Sequence, residues 1–310
     1  MDKLVLVTRK TRLEELIARF NTRPQARFYL EHAGGGDFAD YQAEDDAYRR
    51  SLDELRRSLD VGLKLQLVDR ALVPTFMFTR EDLVVTLGQD GLVANTAKYV
   101  GAQPIVAVNP DPARFDGVLL PFAPSEARAQ VARVLESRAQ VREVTLAEAT
   151  LTDGQRLLAF NDLYIGSQTH VSARYRLSWG RRSEAQSSSG VLVSTGAGST
   201  GWMSSVFNMA AGVTALLGGA AAAPPLRLPW EDARLLYVVR EPFVSRHSSA
   251  GLCAGLLPAG DALTLESLMP QGGTIFSDGV EADYLAFNAG AIARVQAAKQ
   301  KARLVVPATR

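Results

Sequence analysis

The sequence is poor in the residues that mark several common functional classes. It contains one cysteine, Cys253, so no disulfide bond can form within the chain and a reducing compartment is expected. Its three histidines, His32, His170 and His247, have no metal-ligand spacing with one another or with the cysteine, which argues against a zinc site. No nucleophile elbow is present, so the sequence does not indicate a Ser-His-Asp hydrolase.

Neither an excess of charge nor a long apolar run is present. The 310 residues include 34 Lys and Arg against 33 Asp and Glu, and a net charge of +1 argues against nucleic acid as a partner. The apolar run Met209–Ala223 is short, rich in Gly and Ala and followed by Pro224-Pro225, so it predicts a packed helix end and a loop rather than a membrane span. No signal or transit peptide precedes the first strand pattern, Lys3–Val7, so we expect a cytoplasmic protein without a membrane partner.

The first half of the chain alternates strand and helix patterns. This alternation predicts a Rossmann-like α/β domain of three layers, in which a parallel sheet carries helices on both faces. The strand patterns are Lys3–Val7, Leu63–Val68, Leu83–Leu87 and Ile105–Val108, and the helix patterns are Thr11–Phe20, Glu44–Leu59 and Ser125–Leu135.

From Val141 onwards, short alternating segments follow one another with one helical interruption after Ser199, which predicts a β-rich second domain. The length of the chain suits two domains. We place the α/β domain at 1–130 and the β-rich domain at 131–295, with 296–310 as a candidate segment for completing the first domain. The last strand pattern, Arg303–Pro307, has no assigned neighbour in either sheet.

The strand pattern Leu83–Leu87 runs directly into Gly88-Gln89-Asp90-Gly91, and a helix-like run, Leu92–Tyr99, follows at once. A turn of this kind presents free backbone N–H groups at the end of a sheet, where phosphate groups bind. The acidic side chain between the glycines suits a metal-proximal carboxylate or a group that accepts a proton from a hydroxyl. The alternative is an ordinary turn in which the aspartate caps the helix.

Two polar stretches stand out in the second half. Asn161-Asp162 interrupts an apolar strand, and its amide and carboxylate could bind sugar hydroxyls, although the same pair also forms simple β-turns. The stretch Ser187–Trp202 is a strand followed by a turn rich in glycine and hydroxyl groups. Small residues there would admit a ligand, and Trp202 could stack on a base. The alternative is a Ser/Gly linker with a core tryptophan.

Together and in this order, these stretches resemble the motifs of the NAD kinase family. That family carries Gly-Gly-Asp-Gly in its first domain, an Asn-Glu pair in its second, and then a loop rich in Ser, Thr and Gly that ends in an aromatic residue. The likeness is greater to the mitochondrial-type NAD kinases and their bacterial relatives, because Ser188-Ser189-Gly190, Thr195–Gly198 and Trp202 are similar to their motifs. The likeness covers nearly the whole chain.

The resemblance implies phosphoryl transfer from ATP to the 2′-hydroxyl of the adenosine ribose of NAD or NADH, giving NADP or NADPH. Asp90 would be the catalytic base or the metal-proximal carboxylate. The phosphate-facing turn would consist of Gly88, Gln89 and Gly91. The residues implied to bind NAD are Asn161, Asp162, Ser189, Thr195, Ser199, Thr200, Gly201 and Trp202. Mg²⁺ would arrive with ATP rather than in a metal site of the protein's own, and a homodimer or larger homo-oligomer is implied.

Four positions depart from the family pattern. Gln89 stands in the place of the second glycine, Leu92 in that of a threonine, Asp162 in that of a glutamate, and Gly201 in that of an alanine. If the missing glycine is needed at positive φ or close to a phosphate, Gln89 would obstruct the donor. Two alternatives to a kinase of NAD(H) therefore stay open. One is a non-catalytic NAD(H)-binding protein of the same fold, and the other is a kinase of another hydroxyl substrate, such as a lipid or a sugar.

Overall fold

The computed structural model describes residues 2–34, 36–219 and 224–308, and the chain forms two compact units. The first unit consists of Met1–Arg142 and Arg303–Arg310, and the second of Glu143–Ala302. The sequence-based limits were 130 and 295. The first unit extends beyond 130 because a helix, Pro124–Leu135, crosses that limit and packs its apolar side chains into the core of this unit.

The first unit alternates strands and helices, as the patterns predict. Its strands are β1 (Lys3–Thr8), β2 (Lys64–Asp69), β3 (Asp82–Leu87) and β4 (Pro104–Val108), and its helices are α1 (Arg12–Phe20), α2 (Arg23–Tyr29), α3 (Phe38–Ser58), α4 (Asp90–Ala97) and α5 (Pro124–Leu135). A π-helical turn, Leu30–Gly34, follows α2.

The strands of this unit form a parallel sheet in the order β2-β1-β3-β4, which confirms the predicted α/β architecture. Residues Arg303 and Leu304 add parallel pairing beside β4, so the last strand pattern of the chain completes this sheet. Because β2 and β3 lie on opposite sides of β1, the strand order reverses direction between β1 and β3. Ligands of open α/β sheets bind at the carboxyl ends of the strands beside such a reversal.

The central strands are mostly apolar and buried because both faces of the sheet are covered. Leu83, Val84 and Val85 of β3 have no exposed surface. Helix α1 begins after Thr11, whose hydroxyl accepts the N–H of Glu14 while the Glu14 carboxylate accepts the N–H of Thr11. This capping box satisfies the first N–H groups of α1 with the protein's own side chains.

The second unit is formed mainly by antiparallel strands. They are β5 (Gln140–Leu151), β6 (Arg156–Ala159), β7 (Asp162–Ser167), β8 (Ala173–Trp179), β9 (Arg182–Ser188), β10 (Val191–Ser194), β11 (Leu235–Val239), β12 (Ala254–Leu257), β13 (Leu263–Ser267), β14 (Gly273–Ser277), β15 (Val280–Ala286) and β16 (Ile292–Val306), with one helix, α6 (Trp202–Leu216). One sheet has the order β12-β11-β10-β7-β14-β15, and a second has β16-β13-β8-β9 with β5 beside β16 and β6.

The two sheets of this unit share one apolar core. Ile165 and Val193 from the first sheet pack in the same buried cluster as Tyr175 and Leu265 from the second. The predicted β-rich second domain is therefore confirmed. Three strands, β9, β12 and β15, were not predicted, because their sequences do not alternate clearly between apolar and polar residues.

Helix α6 differs from the expected packed helix end. The side chains of Met209, Val213 and Leu216 in its second half are exposed, and residues 220–223 of the predicted apolar run lie outside the described residues. Within the described ranges, no helix is long and apolar enough to cross a membrane.

Candidate active site

The Gly88–Gly91 turn of the first unit lies at the carboxyl end of β3, beside the reversal of strand order. Helix α4 begins at Asp90, and Gln89 is its N-cap residue without a capping hydrogen bond from its side chain. No group in the described part of the chain accepts a hydrogen bond from the N–H of Asp90 or Gly91. An uncapped helix N-terminus with free N–H groups is a site where anions bind.

The Asp90 carboxylate does not cap its own helix, so the alternative of a capping aspartate does not hold. Its Oδ1 accepts the N–H of Leu119 at 2.6 Å, which anchors the side chain to the loop after β4. Its Oδ2 has no hydrogen-bond partner among the described residues. One oxygen is thus fixed while the other remains available to a ligand.

The two glycines of this turn differ in the space around them. A Cβ on Gly88 would lie 2.7 Å from Cδ2 of Leu92, so the Leu92 side chain would have to shift to admit it, whereas a Cβ on Gly91 would meet nothing within 4 Å. Gln89 has φ −99° and ψ 169°, which any residue can adopt. The turn therefore does not require a positive φ at position 89, and only the bulk of the Gln89 side chain could obstruct a ligand.

In the second unit, Asn161-Asp162 connects β6 to β7 and is held by the Asp278 carboxylate. Oδ1 of Asp278 accepts the N–H groups of Asn161 at 2.6 Å and Asp162 at 3.2 Å, and Oδ2 accepts that of Phe160 at 2.9 Å. Asp278 itself has φ +52° and is followed by Gly279 at φ +70°, the backbone of a tight hairpin turn between β14 and β15. The turn thus places a carboxylate where three N–H groups converge.

The Asp162 side chain is buried, and its Oδ1 has no hydrogen-bond partner. The pKa of Asp162 is raised to about 7, mainly by burial; the Ser194 hydroxyl opposes this shift in part and the nearby Asp278 carboxylate adds to it. Buried polar atoms without partners are uncommon, and carboxyl groups that titrate near neutral pH are concentrated at functional sites. Both properties mark Asp162 as a candidate ligand-binding group.

The glycine-rich loop after β10 packs tightly against the protein itself. The Thr195 hydroxyl donates to the carbonyl oxygen of Phe160 at 2.6 Å, and the Ser199 hydroxyl donates to that of Gly196 at 2.7 Å. A Cβ on Gly196 would lie 1.9 Å from the carbonyl oxygen of Pro229, and one on Gly198 would lie 2.3 Å from that of Asn161. These glycines are required by the approach of the protein's own backbone.

An open cavity of about 490 Å³ lies beside this loop in the second unit. The Tyr164 and Trp202 rings are nearly parallel in its wall, with centroids 6.0 Å apart, and the Arg240 guanidinium lies 5.4 Å from the centroid of the Trp202 ring. The remaining lining residues are Ser167, Gln168, Thr169, His170, Val171, Ser189, Thr274, Phe276 and Glu281. Aromatic rings next to a cation suit a planar ring that carries a negative charge nearby.

The residues of the second unit that the sequence predicted to bind NAD differ in their exposure and in their distance from the cavity. Ser189 and Trp202 line the cavity, Thr200 and Gly201 are exposed at the start of α6, and Thr195 and Ser199 are buried within the loop.

Three residues that sequence reasoning did not assign to the site, Tyr164, Arg240 and Asp278, are in contact with residues that it did. Asp278-Gly279 carries a recognisable hairpin-turn signal. Tyr164 and Arg240 have no such signal, because their role depends on pairing between distant strands.

Metal-binding side chains do not cluster in the described ranges: no group of three or more His, Cys, Asp or Glu residues could hold a metal ion there.

No protein-family model matches the chain, and no curated protein matches it in sequence. Solved structures do match, and the fold is that of the NAD kinases. The structure of yeast NADH kinase in complex with NADH superposes with a TM-score of 0.56 at 18% identity, covering 99% of this chain and 84% of the yeast chain. An NAD kinase from Archaeoglobus fulgidus in complex with ATP gives a TM-score of 0.55 at 15% identity, covering 98% of this chain and 93% of the other.

The titration of Asp162 predicts a pH-dependent stability. Because its pKa in the folded protein lies above that of an unfolded aspartate, its contribution to the free energy of unfolding is fully present below about pH 4 and is lost as pH rises to about 7. Asp162→Asn should remove this loss, so that the variant gains on the order of 1–4 kcal/mol relative to wild type between pH 4 and pH 8. Urea unfolding at several pH values measures the difference.

Asp153→Asn, at an exposed carboxylate with a lowered pKa, is the matched control. Equal pH profiles for wild type and Asp162→Asn would contradict the assignment of a raised pKa to Asp162.

Proposed function

We propose that the chain is an NAD(H) kinase of the mitochondrial type, which transfers the γ-phosphoryl group of ATP to the adenosine ribose 2′-hydroxyl of NAD or NADH. The observation that carries this proposal is the Asp90 carboxylate, with one oxygen anchored and the other free, beside an uncapped helix N-terminus. The fold shared with NAD kinases and the ordered motifs support it.

In the proposed reaction the ribose 2′-oxygen forms a bond to the γ-phosphorus, the bond between that phosphorus and the β,γ-bridging oxygen breaks, and ADP leaves. Asp90 takes the proton of the hydroxyl as the new bond forms. A ribose hydroxyl is a poor nucleophile at neutral pH, so a positioned carboxylate contributes roughly 10²–10⁴-fold. Mg²⁺ bound to ATP would supply the neutralisation of phosphate charge, and the free oxygen of Asp90 is a hard ligand of the kind it accepts.

The second unit would bind the dinucleotide. Oδ1 of Asp162 is a buried acceptor without a partner, which a ribose hydroxyl would satisfy, and the neighbouring Asn161 amide offers both donors and an acceptor. The rings of Tyr164 and Trp202 offer a wall for a planar base, and the Arg240 guanidinium beside them offers a cation for a phosphate.

A non-catalytic NAD(H)-binding protein is the second candidate, and the observation that favours it is Gln89 at the phosphate-facing turn. The kinase and the non-catalytic binding protein differ in whether they form NADP. Purified protein with NAD, ATP and Mg²⁺ forms NADP if it is a kinase and binds NAD without forming NADP if it is not.

Asp90→Asn should lower turnover by roughly 10²–10⁴-fold, because an amide cannot take the proton at neutral pH. Its Oδ1 can still accept the N–H of Leu119, so the melting temperature and the NAD affinity should stay close to those of wild type. Asp116→Asn, at an exposed position in the loop before Leu119, is the matched control for the loss of one negative charge. Undiminished NADP formation by Asp90→Asn would rule out Asp90 as the base.

Gln89→Gly should raise turnover or the affinity for ATP without changing the affinity for NAD, because it removes bulk from a turn that faces phosphate. Gln89→Ala is the matched variant, since it removes the same bulk without adding backbone freedom, and it should behave like Gln89→Gly. Steady-state kinetics with varied ATP measure both. A lower turnover in both variants would show that the glutamine contacts the donor.

Trp202→Ala should weaken NAD binding by roughly 1–3 kcal/mol, the magnitude of a base–aromatic stacking contact. Trp202→Phe keeps an aromatic face in the cavity and should retain most of the affinity. Calorimetric titration with NAD measures the difference, and melting temperatures show whether both variants remain folded. Equal affinities for Trp202→Ala and wild type would remove this residue from the dinucleotide site.

A further inference from the structure

Arg9 follows β1 directly and lies at the reversal of strand order, next to the Gly88–Gly91 turn. Its Cδ is 3.5 Å from the position that a Cβ on Gly88 would take. The side chain is nine-tenths buried, and Arg9 also lines a cavity of about 620 Å³ in the first unit. The remaining lining residues of this cavity are Thr8, Lys10, Glu14, Ile17, Ala18, Tyr48, Arg49, Leu52 and Asp69.

The hydrogen-bonding capacity of the Arg9 guanidinium is only partly used. Nη2 donates to Oε1 of Glu44 at 2.9 Å, and Nη1 donates to the carbonyl oxygen of Lys10 at 3.1 Å. Nε is buried and has no partner. A guanidinium carries five N–H donors in a fixed plane, so a buried arginine with an unused Nε is a group for which a partner is missing.

Arg9 can give up its bond to Glu44 without leaving that buried carboxylate unpaired. Arg12 donates its Nε to the other oxygen of Glu44, and this second ion pair does not involve Arg9. A buried carboxylate that loses its last partner is costly, whereas one that keeps an arginine is not. Reorientation of the Arg9 guanidinium towards an incoming anion is therefore accessible.

The backbone beside Arg9 is tied to the backbone before the turn by one hydroxyl. The Tyr48 hydroxyl accepts the N–H of Arg9 at 3.0 Å and donates to the carbonyl oxygen of Leu87 at 3.1 Å. Burial raises the pKa of Tyr48 to about 12, so the hydroxyl keeps its proton and both bonds at neutral pH. The ends of β1 and β3 are thus held in register, which fixes Arg9 relative to the free N–H groups of Asp90 and Gly91.

Charged side chains of both signs lie near Arg9, since Glu14 and Asp69 line the same cavity as Lys10 and Arg49. Arg49 is paired with both Glu14 and Asp45, so it is engaged by two carboxylates. Lys10 also lines the cavity and has no ionic partner among the described residues.

We propose that Arg9 is a phosphate-binding residue that takes the phosphoanhydride chain of the donor, together with the N–H groups of Asp90 and Gly91. This inference deepens the proposed kinase function and rests on it for the identity of the donor. Nucleoside triphosphates and inorganic polyphosphate share this chemistry, and a planar, bidentate guanidinium is well suited to it.

The test uses the full chain and inorganic tripolyphosphate, measured by calorimetric titration. The informative variant is Arg9→Met/Glu44→Gln, which removes both charges of the pair and so leaves the net charge of the chain unchanged. It should keep a melting temperature close to that of wild type and bind tripolyphosphate about tenfold more weakly or worse, the loss expected for one charge-assisted hydrogen bond. Glu44→Gln alone is the matched control and should bind at least as tightly as wild type. The NAD affinity of all three proteins should be equal.

Equal tripolyphosphate affinities for the double variant and for Glu44→Gln would overturn the proposal, and so would a wild-type protein that does not bind tripolyphosphate. A second titration series with Mg²⁺-ATP separates the two donor sources. If the donor is a nucleotide, Mg²⁺-ATP binds more tightly than tripolyphosphate. If the donor is inorganic polyphosphate, the nucleoside adds no affinity. Tripolyphosphate binding that depends on Arg9 in a protein that forms no NADP would support the phosphate site while rejecting the kinase function.

Discussion

The polar site of the second unit depends on one carboxylate. Asp278 gathers three consecutive backbone N–H groups, those of residues 160–162, onto its two oxygens. Without it, these N–H groups would be unsatisfied at the point where β6 passes into β7, and buried donors of this kind cost about 1–3 kcal/mol each. The same carboxylate raises the pKa of Asp162 through its charge. Asp278 therefore fixes the position of the residue beside it and adds to burial, which is the main cause of that residue's raised pKa.

In the first unit, a side-chain hydroxyl instead of a carboxylate holds backbone groups of separate segments in place. Tyr48, from α3, joins the residue after β1 to the last residue of β3, and the two strand ends are those at which the order of the sheet reverses. A neutral hydroxyl can donate and accept at once, which suits a position between one N–H and one carbonyl. Because the hydroxyl is neutral, it adds no charge beside Arg9 and Asp90 at the edge of the sheet.

The sequence predicted the fold closely wherever periodicity was strong. Strand β3 and helices α1 and α5 begin and end within one or two residues of their patterns. In buried strands and amphipathic helices, the spacing of apolar residues shows directly which positions are buried. Strand β9, with the sequence Arg-Ser-Glu-Ala-Gln-Ser-Ser, has no such signal, since its pairing with β8 decides its structure. Gln89 would obstruct the turn if a glycine were needed there at positive φ, and its extended backbone shows that the turn imposes no such condition.

The site was less predictable than the fold, for a physical reason. Asp90 could be recognised because turn, charge and strand end are adjacent in sequence. By contrast, the Tyr164–Trp202 wall and its Arg240 cation come from β7, α6 and the end of β11, and only the folded sheet brings them together. Thr195 and Ser199 were assigned through the family resemblance, which does not show where their hydroxyls point. In the structure the Thr195 hydroxyl donates to the carbonyl oxygen of Phe160 and the Ser199 hydroxyl to that of Gly196 within the loop.

The close backbone contacts of Gly196 and Gly198 have a thermodynamic consequence. A loop rich in glycine is ordinarily the most flexible part of a chain and loses the most entropy when a ligand orders it. Here both glycines pack closely against carbonyl oxygens of other segments, so the loop loses its conformational entropy when the protein folds rather than when a ligand binds. A ligand that binds beside the loop meets a surface that is rigid in advance, and more of the contact energy appears as affinity.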